Sequence, residues 1–215
     1  MKIVIPDDYQ DAVRSLDAFK KVAWHEVAVL HAAEKDPARL GPWPFEIGLF
    51  VGKAATPIRM GTAGDGRDDT ARALTLAFRR DSAKNPRPIP LDSCPWCQTA
   101  FGRESFNLVP NNDAPMDLRV TCESPSCAFG ASNPLPIVAV DEPLYRRLPC
   151  FLIATVDKFA ALPWIGQTAA LFGKADRADG EGFYGAADPG RGRPLPLPLL
   201  PPDLVIQDEL HLISG

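Results

Sequence analysis

Two pairs of cysteines give this sequence its most specific chemical signal. Cys94 and Cys97 have two residues between them, and Cys122 and Cys127 have four. Each short pair can form a knuckle whose thiolates point at one ion, and two knuckles complete a tetrahedral four-cysteine site. Four thiolates leave no position for water, so the spacing predicts a structural Zn²⁺ that stabilises a segment too small to bury its own core.

Other uses of the cysteines are compatible with the same spacing. The first pair could be a redox pair, or the four could form two disulfides, but a reducing cytoplasm and the second pair favour metal. Cys150 is interpreted as a small core residue. Trp96, Phe101 and Phe129 could stack on nucleic-acid bases, although such side chains more often cover the knuckles of a small metal module.

A second chemical signal is the motif Asp208-Glu209-Leu210-His211. It follows Leu204 to Gln207, an apolar run that is preceded by two prolines and is too short and too rich in β-branched residues for a helix, which predicts a strand of a parallel sheet. At the end of such a strand an Asp can hold the Mg²⁺ of a nucleotide, and a following Glu can take a proton from the attacking water. The pattern fits nucleotide hydrolysis of the Walker B type. On these residues alone, a strand that ends in a solvated acidic turn explains it equally well.

The sequence contains no phosphate-binding loop of the form G-x-x-x-x-G-K-[ST]. The nearest segment, Gly48 to Ala54, has three residues between its glycines and an alanine where the hydroxyl should be. Gly61 to Gly66 does not match the dinucleotide fingerprint and is interpreted as a flexible loop. The chain therefore carries the acidic half of a hydrolytic site without the half that grips phosphates.

Composition is that of an ordinary globular protein, with 46% hydrophobic residues in a chain of 215. No apolar run approaches the roughly 20 residues that cross a bilayer, and Asp7 and Asp8 stand where a signal peptide would be apolar. We therefore predict a cytoplasmic location without membrane association. A net charge of −4 excludes a broad basic face, so any contact with nucleic acid must be local.

The elements that position these residues follow an α/β pattern. Residues 1–40 predict a β-α-β unit, and a chain break at residues 41–44 predicts a junction near residue 41. A proline-rich stretch at residues 173–202 has little periodicity and predicts a linker or surface loop. The other predicted elements are strands at 45–51, 137–140 and 151–155, a capped helix from Thr70 to about Arg80, a helical turn at 142–147, and a helix at 156–172 with a possible break at Pro163.

Several segments occur in the order in which one known family has them. They are Gly48 to Lys53, Thr56 to Gly61, the four-cysteine segment, Ala154 to Ala160 and Leu204 to Gly215. In these segments the chain resembles the superfamily 2 helicase subunit of DISARM-type antiphage systems. The resemblance implies a partial RecA-like parallel sheet with an inserted four-cysteine zinc ribbon, and an origin in ATP-driven movement on nucleic acid.

The resemblance also implies roles for the acidic motif. Asp208 would bind Mg²⁺, Glu209 would activate water, and His211 would couple the nucleotide site to a second lobe. Mg²⁺ and ATP are expected only in the intact parent enzyme. DNA and other subunits of the defence system are the implied partners.

Four further residues would lie at the nucleic-acid backbone by the same resemblance: Thr155 and Lys158 in one motif, and Thr56 and Arg59 in another. Their spacing alone does not require this. A helix cap at Thr155 and a solvated Lys158 explain the first pair without any ligand.

The leader differs from the rest of the chain. Met1 to Val13, with Leu16-Asp17 and His25-Glu26-Val27, resembles the amino terminus of D-2-hydroxyacid dehydrogenases, where it is the first β-α-β of the substrate domain. The cofactor fingerprint and catalytic residues of that family do not follow, so dehydrogenase activity is not expected. The predicted divisions are a dehydrogenase-like leader at 1–40, a partial helicase lobe at 41–93, a zinc ribbon at 94–127 and the continuation of the lobe at 128–215.

Together these observations predict a fragment of a superfamily 2 helicase or translocase that does not turn over ATP alone, because the phosphate loop and the second lobe are absent. The alternative is a non-enzymatic zinc-ribbon module that binds single strands or a partner protein. A third interpretation is a product without function that folds poorly, because half of a parallel sheet leaves open edges.

Overall fold

The computed structural model describes residues 2–5, 26–29, 45–130, 132–197, 199–202 and 204–206. The chain divides into two compact units, Met1–Pro44 and Phe45–Gly215. In the first unit, β1 (Lys2–Ile5) and β2 (Glu26–Val29) pair in parallel. This pairing agrees with the predicted β-α-β pattern, whose helix lies outside the described residues.

The second unit combines short strands with three short α-helices in its described residues. Two 3₁₀ turns, Leu162–Trp164 and Gly166–Phe172, follow the last of these helices. The strands are β3 (Ile47–Phe50), β4 (Phe106–Val109), β5 (Asp117–Val120), β6 (Ile137–Val138), β7 (Phe151–Ala154), β8 (Ala175–Asp179), β9 (Gly182–Gly185) and β10 (Arg193–Pro194), and the helices are α1 (Ala71–Arg80), α2 (Asp141–Arg147) and α3 (Val156–Ala161).

A parallel sheet with the order β6-β3-β7 lies at the centre of this unit. The sequence predicted its three strands. Gly48 allows the segment after α2 and the strand β7 to pack closely on β3, because a Cβ there would lie 2.5 Å from Pro149 Cγ and 2.8 Å from Leu152 Cδ1. On the face that α2 covers, Phe50 and Tyr145 pack edge to face at 5.8 Å.

The side chains of β7 are exposed along the whole strand. Phe151 is 55% and Ile153 47% accessible, and Ile47 on β3 is 36% accessible. The register pairs Ile47 with Phe151, so these side chains lie on the same face of the sheet. Strands of parallel sheets are usually covered on both faces, and β7 departs from that rule.

α1 begins where the sequence predicted. The Thr70 side chain accepts a hydrogen bond from the Ala73 amide at 3.2 Å, and Arg79 and Arg80 occupy the last turn, where they suit the helix dipole. The buried Phe78 of α1 packs edge to face on Phe106 at 5.6 Å. α1 thereby joins the antiparallel hairpin of β4 and β5, which lies between the two cysteine pairs.

The helix predicted over 156–172 is interrupted at Pro163, as the sequence indicated: α3 ends at Ala161 and 3₁₀ turns continue the chain. Proline cannot donate the amide that an α-helix needs at this point. None of the helices in the described ranges is long and apolar enough to cross a membrane.

The prediction of a surface loop over 173–202 is wrong for residues 175–194. This segment forms a three-stranded antiparallel sheet with the order β10-β8-β9. Its strands are rich in Gly and charged residues, so they lack the apolar alternation that marks a strand. Side-chain hydrogen bonds between β8 and β9 stabilise it instead: Tyr184 is 1% exposed and donates to Asp179 Oδ1 at 3.0 Å, and Arg177 donates to the Gly185 carbonyl at 2.6 Å.

The strand predicted before the acidic motif is also not observed. Leu204, Val205 and Ile206 form no strand in the structure and are 71%, 65% and 79% exposed. β-branched sequence favours extended backbone, but a strand also requires a neighbour that supplies hydrogen bonds. The motif itself, with Asp208, Glu209 and His211, lies outside the described residues.

Candidate metal centre and candidate nucleic-acid edge

The four paired cysteines come together in space. Their Sγ atoms all lie within 4.8 Å of one another. Cys94 Sγ is 3.8 Å from Cys127 Sγ, and Cys97 Sγ is 3.5 Å from Cys122 Sγ. A tetrahedral Zn²⁺ with bonds of about 2.3 Å separates its sulfurs by about 3.8 Å, so the arrangement fits a closed four-thiolate shell.

The same distances exclude the disulfide alternative in this structure. A disulfide brings two sulfurs to about 2.05 Å, and all four residues are free cysteines. Cys150 is also a free cysteine, but it is exposed, so its prediction as a core residue is wrong. Its Sγ donates to the carbonyl of Glu46 at 3.1 Å at the start of β3.

Backbone hydrogen bonds shape the first knuckle. The Cys94 amide donates to the Thr99 carbonyl at 2.8 Å, and the Gln98 amide donates to the Cys94 carbonyl at 2.8 Å. Gln98 has a φ of 64°, a left-handed conformation that usually requires Gly. The tight turn that orients the two sulfurs therefore forms without a glycine, the residue expected for this conformation.

In the second knuckle, amides point directly at sulfur. The Ser124 amide lies 3.4 Å from Cys122 Sγ, and the Phe129 amide lies 3.5 Å from Cys127 Sγ. Hydrogen bonds of this kind orient metal-bound thiolates and stabilise their charge. Both knuckles thus present sulfur with its supporting groups in place.

The thiols differ in their acidity. The hydrogen bond with Thr99 lowers the pKa of Cys97 to about 6, and burial raises the pKa of Cys122 to about 12. A metal shell requires every thiol to lose its proton. A cation is the natural counter-charge for this cluster, because the Cys122 thiol resists ionisation without one.

The aromatic residues near the cysteines have different environments. Phe101 is 3% exposed and belongs to the core, so it is not available to stack on a base. Trp96 is 68% exposed and meets the ring of the half-buried Phe129 edge to face at 5.7 Å. Trp96 is therefore the aromatic side chain of this knuckle that a partner could reach.

The segments that follow β3 and β7 form a second candidate site. Carboxyl ends of parallel strands meet at one edge of the sheet. The Thr155 amide donates to the Phe50 carbonyl at 3.2 Å across this edge. A Cβ at Gly52 would lie 3.6 Å from Asp157 Oδ2, so the loop after β3 and the first turn of α3 are adjacent.

The loop after β3 holds the first two predicted contact residues. Thr56 is 1% exposed and donates from its hydroxyl to the Val51 carbonyl at 3.2 Å. Arg59 is exposed and lines a cavity of about 300 Å³ together with Asp65, Arg67 and Glu142. Only the second of the pair presents its side chain to solvent.

α3 holds the other two predicted contact residues. Thr155 occupies the N-cap position without a side-chain cap hydrogen bond and is exposed. Lys158 is 8% exposed, forms an ion pair with Asp141 and lies 4.9 Å from the centre of the Phe50 ring. The interpretation of Lys158 as a solvated lysine is therefore wrong.

Sequence reasoning missed Asp141 and Glu142, which touch both of these segments. A signal was available, because Val138 to Glu142 repeats the pattern of an apolar run followed by Asp-Glu. Burial and a polar partner distinguish Asp141 from a residue of a solvated turn: Asp141 is 1% exposed, and burial raises the pKa of its carboxyl group.

Comparison with known proteins gives one informative match. No protein-family profile matches the chain. Over 189 residues it is 41% identical to the DISARM protein DrmA of Bacillus paralicheniformis (strain ATCC 9945a / NCIMB 11709 / CD-2). The chain is similar to part of a DISARM protein.

The match covers 81% of this chain but only 16% of DrmA. This match spans about one sixth of the length of DrmA. It does not test the resemblance to superfamily 2 helicases or the resemblance of the leader to dehydrogenases, and both remain predictions.

Proposed function

We propose that this chain is a segment of an antiphage defence protein, and that residues 45–215 belong to the first lobe of a superfamily 2 helicase. The observation that carries the proposal is the 41% identity to a DISARM protein. A parallel sheet whose carboxyl edge carries the predicted contact residues supports it. The sequence of the flanking DNA tests it. We expect frames that encode a G-x-x-x-x-G-K-[ST] loop and later helicase motifs, and their absence from every frame would contradict the helicase origin.

In this proposal the four cysteines hold a structural Zn²⁺, which supplies no chemistry to a substrate because its shell is closed. The support is the fit of the sulfur positions to a tetrahedral shell. Metal analysis of protein purified under reducing conditions should find one zinc per chain. A Cys127→Ser variant should lose it, and a Cys150→Ser variant should retain it.

The acidic motif has the roles that the resemblance gives it. Asp208 would bind Mg²⁺, Glu209 would activate water and His211 would couple to a second lobe. The chain as printed has no phosphate loop, so we expect it not to hydrolyse ATP by itself. Nucleic-acid-stimulated hydrolysis above that of a Glu209→Gln control would refute this expectation.

The carboxyl edge of the sheet is proposed to bind the backbone of nucleic acid. Arg59 and Thr155 are exposed and are the side chains that could reach phosphate. Thr56 and Lys158 are buried, and we assign them a supporting role in which they hold the two segments. An Arg59→Ala variant should bind a labelled DNA oligonucleotide more weakly. The slope of log K against the logarithm of the salt concentration should decrease by about one, as expected for the loss of one phosphate contact.

A non-enzymatic binding module remains the second candidate, and the exposure of Trp96 favours it. If the metal knuckle is the binding surface, Trp96→Ala should weaken binding to single strands by about 1–3 kcal/mol, while Arg59→Ala should have no effect. The opposite pattern would support the sheet edge. These two variants therefore separate the two functions in the same assay.

A further inference from the structure

Two adjacent acidic residues at the start of α2 each hold a different segment of the sheet edge. Glu142 Oε2 accepts a hydrogen bond from the Met60 amide at 2.7 Å, and the Glu142 amide donates to the Ile58 carbonyl at 3.2 Å. Asp141 forms the buried ion pair with Lys158.

The contacts of Glu142 bracket Arg59 on both sides. The neighbours of Arg59 in sequence are the two residues that Glu142 binds, and the Arg59 carbonyl accepts from the Ala71 amide at 2.9 Å. The backbone of the segment is therefore fixed to both α2 and α1. The Arg59 side chain remains exposed at the mouth of the cavity, which Glu142 also lines.

The contact of Asp141 acts on the other segment. Lys158 lies in α3, whose N-cap is Thr155. Both partners of the ion pair are buried, with 1% of Asp141 and 8% of Lys158 exposed. Because a buried charge needs its partner to stay in place, this contact fixes α3 and thereby the exposed Thr155.

We propose that Asp141 and Glu142 are positioning residues that fix Arg59 and Thr155 together as one nucleic-acid-binding edge. The inference rests on the proposed binding of nucleic acid by this edge. It assigns a function to two acidic side chains that would by themselves repel phosphate.

Because of this repulsion, a positioning role predicts a change in DNA affinity opposite to the one that charge alone would give. Removing an acidic group beside a phosphate site normally strengthens binding, because it removes a like charge. If Glu142 positions Arg59, Glu142→Ala should instead weaken binding, by about tenfold if one charge-assisted hydrogen bond is lost. Glu142→Gln retains an oxygen that can accept from the Met60 amide, so it should bind within about threefold of the unsubstituted chain.

The experiment measures binding of fluorescent DNA oligonucleotides, single-stranded and duplex, to the zinc-loaded full chain over a range of salt concentrations. The set comprises the unsubstituted chain, Glu142→Ala, Glu142→Gln and Arg59→Ala, and the double variant with both alanines. Glu181→Ala serves as the matched control, because it removes an exposed carboxylate from the turn between β8 and β9. Thermal melting establishes that each variant is folded.

Positioning predicts that Arg59→Ala costs much less in the Glu142→Ala background than alone, because the arginine is already misplaced there. A general loss of stability would not produce this coupling. If Glu142→Ala is folded and binds as tightly as the unsubstituted chain, or more tightly, the positioning role is refuted and the proposed nucleic-acid edge is not. Absence of salt-dependent binding by the unsubstituted chain would overturn the proposed nucleic-acid edge and the inference with it.

Discussion

The side chain of Lys158 shows how a residue chosen for one role can have another. A lysine two residues into a helix after a strand is usually solvated, and the sequence around it shows nothing else. In the structure the Lys158 ammonium forms an ion pair with Asp141 and lies 4.9 Å from the centre of the Phe50 ring. The partner comes from a helix that precedes β7, so only the fold reveals the pairing.

Loss of Lys158 should be costly and should depend on pH. Lys158→Met leaves Asp141 buried without a counter-charge, which is expected to lower the free energy of unfolding by about 3–5 kcal/mol at neutral pH. Burial already raises the pKa of Asp141, and removing the lysine should raise it further. A group whose folded pKa is raised contributes stability below its unfolded pKa of about 4 and loses it as pH rises.

The destabilisation should therefore be smaller at acid pH, where Asp141 is protonated in both states. Urea unfolding of Lys158→Met at neutral and at acid pH measures this. Lys174→Met, at an exposed lysine, is the control for loss of a positive charge. An equal loss of stability at both pH values would contradict the assigned pairing.

At the scale of elements, the sequence predicted the features that depend on residues close together in the chain. The N-cap at Thr70, the strand at β3 and the break at Pro163 each follow from the residues at that position. The sheet of β8, β9 and β10 was missed because its strands are rich in Gly and charged residues and lack the apolar alternation that marks a strand. Side-chain hydrogen bonds of Tyr184 and Arg177 across the β8-β9 hairpin stabilise it instead. The predicted strand at Leu204 failed for the converse reason: its residues suit a strand, but no described neighbour pairs with them.

The packing of α2 on β3 gives a prediction at the same scale. Gly48→Ala would place a Cβ 2.5 Å from Pro149 Cγ, 2.8 Å from Leu152 Cδ1 and 3.2 Å from Leu144 Cδ1. Because these side chains belong to a packed interface, we expect a loss of about 1–3 kcal/mol. Denaturant unfolding measures it.

Gly130→Ala is the control for this substitution, because a Cβ at that position meets no atom within 4 Å. It should leave stability within about 0.5 kcal/mol of the unsubstituted protein. If the two substitutions had the same effect, the close packing of Pro149, Leu152 and Leu144 around Gly48 would not exist in solution.

For the whole molecule, the cysteine cluster and one of the hydrophobic clusters of the described residues share side chains. Cys94 and Cys122 belong to the same buried cluster as Phe78 of α1 and Phe106 of β4. The cysteine spacing alone predicted the cluster of sulfurs. It could not show that two of the four cysteines would also be core residues, because that depends on how the hairpin folds onto α1.

Removal of zinc should therefore unfold more than the knuckles. Structural zinc in small modules contributes an apparent 10–16 kcal/mol, which is comparable to the whole stability of an ordinary domain. We expect a chelator to expose the amides of α1, β4 and β5 to hydrogen exchange and to abolish cooperative melting. Acid should act in the same direction, because thiol protonation competes with metal.

Cys150→Ser, which lies outside the cluster, is the control for this experiment and should melt like the unsubstituted protein. Metal-free protein with unchanged protection of β4 and β5 would show that the hairpin and α1 are stable without the ion. The metal would then be an accessory to the core.

The exposed apolar side chains of β7 have a consequence for handling the protein. Strands with apolar residues on an accessible face promote association between molecules. Turbidity during concentration is therefore expected, with a rate that rises steeply with protein concentration. Ile153→Lys places a charge within this strand and should extend the usable concentration range.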